Sequence, residues 1–148
     1  MTGTLTYRGT VQRWHCDHMD HMNVMWYVGK FDEATWNLFA GLGITAAYLS
    51  RDNGMAAVQQ NIAYKRELMV GDVVTVTSRV LEIREKLIRF EHEMRNGATG
   101  EVAAVCELTA LHTDRATRRS CPFPPAIRAA AEAALAEGAS AEGAGATA

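Results

Sequence analysis

Within the stretch HCDHMDHMNVMWY, residues 15 to 27, three histidines, two aspartates, a cysteine and an asparagine stand immediately ahead of an apolar run. Three chemistries can be built from such a set. His15, Cys16, Asp17, His18 and His21 are eligible zinc ligands, because zinc takes nitrogen and sulfur donors. Their spacing matches no CxxC or HExxH pattern, and only the isolated His92 and His112 follow downstream, so no metal is assigned. A plainer role is helix capping, for which Asp20 or Asn23 suffices alone. The third reading starts from the mouth of a helix, whose unpaired amides and positive dipole end stabilise developing negative charge. Asp17 could attack a carbonyl, or deprotonate a water that does, while amides near Val24 hold the oxygen. That chemistry is acyl transfer to water. Cys16 has no clear base arrangement and is not taken as a nucleophile.

A strand must deliver this cluster and a helix must follow it. Residues 4 to 14 (TLTYRGTVQRW) are rich in β-branched and aromatic types and read as a first strand. From Tyr27 the period changes: Phe31, Ala34, Leu38 and Leu42 recur at spacings of three and four, which predicts an amphipathic helix ending near Gly41 or Gly43. Trp14, Trp26, Tyr27 and Trp36 are expected to pack helix against sheet. A sharper alternative has some of them lining a pocket able to accept a quaternary ammonium group such as betaine through cation–π contact. Extended stretches follow at 55–66, 73–83, 86–95 and 101–112, with a hairpin turn expected at Asn96 and Gly97. Across 86–95, Ile88, Phe90 and Met94 alternate with Arg89, Glu91, Glu93 and Arg95, so one face is packed and the other wet. One strand, one long helix and four successive strands predict an α+β fold in which an antiparallel sheet curls around the helix.

The chain of 148 residues, 48% of them hydrophobic, suits one compact domain. We assign it to residues 1–125. Residues 126–148 are expected to form a short Ala-rich helix followed by an unpacked tail. A formal net charge of −2 gives no general attraction to nucleic acid, so local basic clusters would have to hold any anionic ligand. Cys16, Cys106 and Cys121 form no paired pattern, which points to a reducing, cytoplasmic setting. Neither a signal-like start nor a membrane-length apolar window is expected.

The stretch CDHMDHMNVMWYVGKFDEATWNLF resembles the hotdog-fold acyl-CoA thioesterases of the 4-hydroxybenzoyl-CoA thioesterase type. The likeness runs from about Tyr7 to Pro125 and includes Tyr64, Lys65, Gly71 and Asp72. It implies an antiparallel sheet of about five strands around one long central helix, and hydrolysis of an acyl-CoA thioester without a separate cofactor. It places the catalytic carboxylate at Asp17, the loop histidine and asparagine at His21 and Asn23, and the oxyanion amide near Val24. Trp26 and Tyr27 would lie by the substrate. Asp32 matches an aspartate that faces the acyl group from the partner subunit. Arg84 and Lys86 match positions that contact coenzyme A phosphates, and Arg118 and Arg119 add a further basic pair. Members assemble as homodimers or homotetramers with the active site between subunits. Two departures stand out: Asp20 replaces the usual glycine before the histidine, and Val24 replaces a second asparagine. Asp20 could be a second acid that raises the proton affinity of its neighbour. The resemblance leaves open a hotdog hydratase or dehydratase, and the residues leave open a non-catalytic acyl-CoA binder or a metal-binding module.

Overall fold

The computed structural model describes residues 3–146. Strand β1 (Thr4–Thr10) leads through a single 3-10 turn (Arg13–His15) and a loop into helix α1 (Val24–Gly41). A one-turn helix α2 (Ala46–Leu49) precedes β2 (Asn53–Tyr64), β3 (Val73–Ile83), β4 (Leu87–Asn96), β5 (Val102–Asp114), a two-residue β6 (Arg119–Ser120) and α3 (Pro125–Ala146). The strands form one antiparallel sheet in the order β1-β3-β4-β5-β2, with β6 beside β5. The expected α+β architecture is therefore present, with five full strands curled against α1.

The helical stripe packs as its spacing predicts. Phe31, Ala34, Leu38 and Leu42 are buried with Phe39 against Val74, Val76, Ile88, Phe90 and Met94 on the inner sheet face. Each large side chain removed from water contributes about 1.5–3 kcal/mol. Through this core runs a chain of hydrogen bonds. Thr35 Oγ1 donates to the Phe31 carbonyl (3.0 Å), and His92 Nε2 lies 2.8 Å from Thr35 Oγ1. Ser78 Oγ lies 2.5 Å from the other ring nitrogen, Nδ1. Thr6 joins Ser78 at 2.6 Å and completes the link from β1 to α1.

Several boundaries differ from those expected. The first strand stops at Thr10 because Gln12 N–H donates to His15 Nδ1 (2.8 Å) and the chain coils into the 3-10 turn. Asn96 and Gly97 do not make a two-residue turn. Asn96 Oδ1 instead accepts from Ala98 and Thr99, and Gly100 takes the left-handed position at φ +77°. Helix α2 and strand β6 are additions to the expected elements; Thr45 Oγ1 caps α2 by accepting from Tyr48 N–H (3.2 Å). Helix α3 packs on β3, buries Ile127 and Ala131, and continues to Ala146, longer than the short helix expected. The last two residues, to which the expected unpacked tail also applies, lie outside the described residues. Trp14 (68% exposed) and Trp36 (45% exposed) are not core residues. Trp14 sits on the 3-10 turn, and Trp36 stands on the exposed side of α1 between a groove beside β1 and an open cleft beside β2.

Candidate active site

The loop between the 3-10 turn and α1 is held by its own backbone. Asp17 N–H donates to the His21 carbonyl (3.3 Å), Asp20 N–H to the Asp17 carbonyl (3.0 Å) and Asn23 N–H to the His15 carbonyl (2.8 Å). Asp20 occupies the left-handed region at φ +67°. A glycine meets that demand without strain, and aspartate is among the few residues that tolerate it, so the departure from the family glycine has a conformational explanation. Asp20 is an exposed turn residue.

Asn23 joins the helix to the acid. Its Oδ1 caps α1 by accepting from Met25 N–H (2.9 Å), while its Nδ2 donates to Asp17 Oδ2 (2.7 Å). Asp17 Oδ1 accepts from Met19 N–H (2.8 Å). Donation from Asn23, then from Met19, aided by His21 and His18, holds the Asp17 carboxyl below its usual range. It is ionised at neutral pH, and Asp20 contributes nothing that raises its proton affinity. Among the described residues no hydrogen bond takes up the Val24 N–H, the first amide of α1. His21 places Nδ1 3.2 Å from the Met22 carbonyl and Nε2 3.6 Å from Glu67.

Among the cavities that border α1, two adjoin the helix start, Val24 lining one and Met25 the other, while a third lies between α1 and β1. The first, about 230 Å³, is lined by His21, Val24, Tyr27, Tyr64, Lys65 and Glu67 among others. The Tyr27 and Tyr64 rings meet edge to face at 5.1 Å, and burial pushes the Tyr27 phenol up to about 12, so it remains a donor, here to the Arg66 carbonyl (3.3 Å). The second, about 400 Å³ and mostly apolar, begins at Met25 and runs along α1 past Asp32 and Trp36, facing Met55, Ala57 and Gln60 of β2. Asp17 lines neither cavity, whereas His21 and Val24 line the first.

The structure thus brings together Asp17, His21, Asn23, Val24 and Tyr27, with Asp32 further along the same helix. Trp26 lines neither cavity; its ring meets that of His15 tilted by 53°, with centroids 4.6 Å apart. The basic residues are elsewhere. Arg84 and Lys86 sit in the β3–β4 turn and Arg118 and Arg119 at the β5–β6 turn. Register pairs Leu87 with Leu111 and Asn53 with Asp114, whereas Tyr64 pairs with Ala104. At about 3.3 Å per residue, eleven steps of β2 put these cations roughly 35 Å from the Tyr64 end. Arg84 is exposed and paired with Glu82 (2.6 Å). Sequence reasoning missed Gln60 and Met55 and gave Tyr64 only as part of the family likeness. A bulge between Ala57 and Gln59 flips the alternation in β2, so no simple period marks Met55, Ala57, Gln60, Ile62 and Tyr64 as one face.

The sequence pattern described as the thioesterase-like superfamily matches residues 11–131. The chain belongs to that superfamily. It is 30% identical over 111 residues, 75% of its length, to the L-carnitine dehydrogenase/betainyl-CoA thioesterase of Agrobacterium fabrum, and spans only 23% of that relative. Its fold matches a Staphylococcus aureus protein solved in complex with CoA (TM-score 0.83, 21% identity, covering 93% of this chain and 87% of that one). It also matches a DHNA-CoA thioesterase from Staphylococcus aureus (TM-score 0.82, 16% identity, covering 91% and 93%). The superfamily fold is the hotdog arrangement that the motif implied. No helix among the described residues is long and apolar enough to cross a membrane, and no group of three or more metal-ligating side chains occurs among them.

Proposed function

We propose that this thioesterase-superfamily chain hydrolyses an acyl-CoA thioester to the free acid and coenzyme A. The observation that carries the reading is the junction at the mouth of α1: an ionised Asp17 is tied through Asn23 to the cap of a helix whose first amide is unpartnered. The thioester oxygen takes the Val24 N–H, where the helix terminus stabilises the charge that develops as the carbonyl is attacked. Asp17 either removes a proton from the attacking water or attacks the carbon itself, forming an anhydride that water then opens. Asn23 fixes the direction of the carboxylate, and His21 positions carbonyl or water. Coenzyme A leaves as the thiolate and takes up a proton.

The distance from this junction to Arg84, Lys86, Arg118 and Arg119 supports a dimer. Strand β2 is an edge strand of 12 residues, and Ala56–Asn61 are exposed on both faces. Antiparallel pairing of two copies along this edge sets the Asn53 end of one beside the Tyr64 end of the other, so each copy's basic turns approach its neighbour's Asp17. The free thiols Cys16, Cys106 and Cys121 agree with a cytoplasmic setting. The decisive measurement is thiol release from a series of acyl-CoAs by wild type and Asp17→Asn. Loss of about a hundredfold or more in kcat is expected for the variant. Full activity in the variant overturns the assignment of Asp17.

A further inference from the structure

Resting on the hydrolytic reading above, we propose that the 400 Å³ cavity beside α1 selects an acyl group carrying a fixed positive charge, a quaternary ammonium, with Asp32 as its counter-charge. Among the described residues lining that cavity, Asp32 is the single charged one. Its Oδ2 accepts from the Trp36 indole N–H (3.2 Å), one helical turn further on, which fixes carboxylate and indole together at the cavity wall. No hydrogen bond among the described residues uses Oδ1, and no described cation pairs with Asp32. The remaining wall is Met25, Phe39, Met55, Phe90 and other apolar groups.

An uncompensated carboxylate against an apolar wall concentrates negative potential there. A neutral acyl group would strip water from Asp32 and give nothing back, whereas a cation replaces that water with a direct Coulomb contact. Donor counting separates a quaternary ammonium from a primary one. An –NH₃⁺ group brings three donors, yet the Thr35 hydroxyl is already committed to Phe31 and His92, leaving Asp32 and Gln60 as acceptors. A trimethylammonium group needs no acceptor. Its methyls pack on the thioethers and aromatic rings, with Trp36 adding attraction to the charge. Asp32 stands about 12 Å along the helix axis from Val24, with its side chain leaning back toward it, so the spacer between carbonyl and charge is a variable of the test.

The probes are non-hydrolysable CoA thioethers whose arm ends in trimethylammonium or in its neutral tert-butyl isostere, each with a short and a longer spacer. They are titrated calorimetrically into the full chain and into Asp32→Asn, which preserves shape and removes charge. At one spacer or both, wild type is expected to bind the cationic arm about tenfold or more tightly than its isostere, and Asp32→Asn to reduce that ratio to within about twofold. Equal affinity for both arms at both spacers, or a preference that survives in Asp32→Asn, overturns the proposal. Thiol release from CoA thioesters is measured separately on the same preparations: absence of any turnover sinks the hydrolytic reading, while the binding ratio still judges the cavity.

Discussion

Asp17 and His92 are each joined to two neighbours by hydrogen bonds, yet one is held charged and the other neutral. Every partner of the Asp17 carboxylate donates to it, and the loop is open to water, so ionisation is favoured. His92 is fully buried between Phe31 and Phe90, with the Thr35 and Ser78 hydroxyls against its two ring nitrogens, and burial disfavours the charged ring. Burial lowers its pKa from 6.5 to about 4. The comparison separates the acid that the proposed mechanism uses from a ring that serves the core: both have two hydrogen-bonding neighbours, while the surroundings decide the charge.

The largest effect expected on this comparison is acid unfolding through His92. Above pH 6.5 the ring is neutral in both folded and unfolded chains and contributes no pH dependence. Between 6.5 and about 4 the unfolded chain binds the proton and the folded one does not, so stability is lost as pH falls through that window and the slope ends near 4. The shift corresponds to about 3 kcal/mol. Urea unfolding at pH 7 and pH 4.5 should show a loss of this order that shrinks by most of its size in His92→Phe. An unchanged pH dependence in that variant would mean that the ring already carries a proton inside the fold.

A smaller effect tests the other member of the pair. Asn23→Ala removes the α1 cap, at a cost of about 1 kcal/mol in thermal unfolding. It also deprives Asp17 of its largest stabilising donor, so the carboxyl pKa rises toward the ordinary carboxylate value. In the proposed mechanism the group acts when ionised, so the acid limb of kcat/KM is expected to move to higher pH in the variant. A limb that stays put would detach Asn23 from the acid and leave it as a cap alone.

These regions were not equally legible in the amino-acid sequence. Helix α1 could be read because Phe31, Ala34, Leu38 and Leu42 recur at the helical period and all are buried. The same holds for β4, where Ile88, Phe90 and Met94 face inward. The inward parity of β4 also includes His92, but its hydrogen-bond partners Ser78 and Thr35 are distant in sequence and meet it only in the fold. The Asp17–Asn23–Val24 junction was legible because it is local. The Asp32 cavity was only partly so. Asp32 and Trp36 share a helix face, whereas Met55, Ala57 and Gln60 join them across a bulge that local alternation does not register.

The smallest expected effect concerns Asp20, where shape and charge can be told apart. Its backbone sits at φ +67° and its N–H donates to the Asp17 carbonyl, so its role in the comparison is to turn the loop rather than to share the proton of Asp17. Glycine relieves the left-handed strain but adds freedom to the unfolded chain, and the two terms nearly cancel: Asp20→Gly should change stability by no more than about 0.5 kcal/mol. Valine, branched at Cβ, is poorly accommodated there, and Asp20→Val should cost about 1–2 kcal/mol. Thermal unfolding of both variants ranks the strain, and thiol release by Asp20→Gly reads the charge. If Asp20→Gly is as stable as wild type yet loses activity to the extent expected for Asp17→Asn, the carboxylate at position 20 belongs to the chemistry, and the division between a single ionised acid at the helix mouth and a neutral ring in the core no longer describes this molecule.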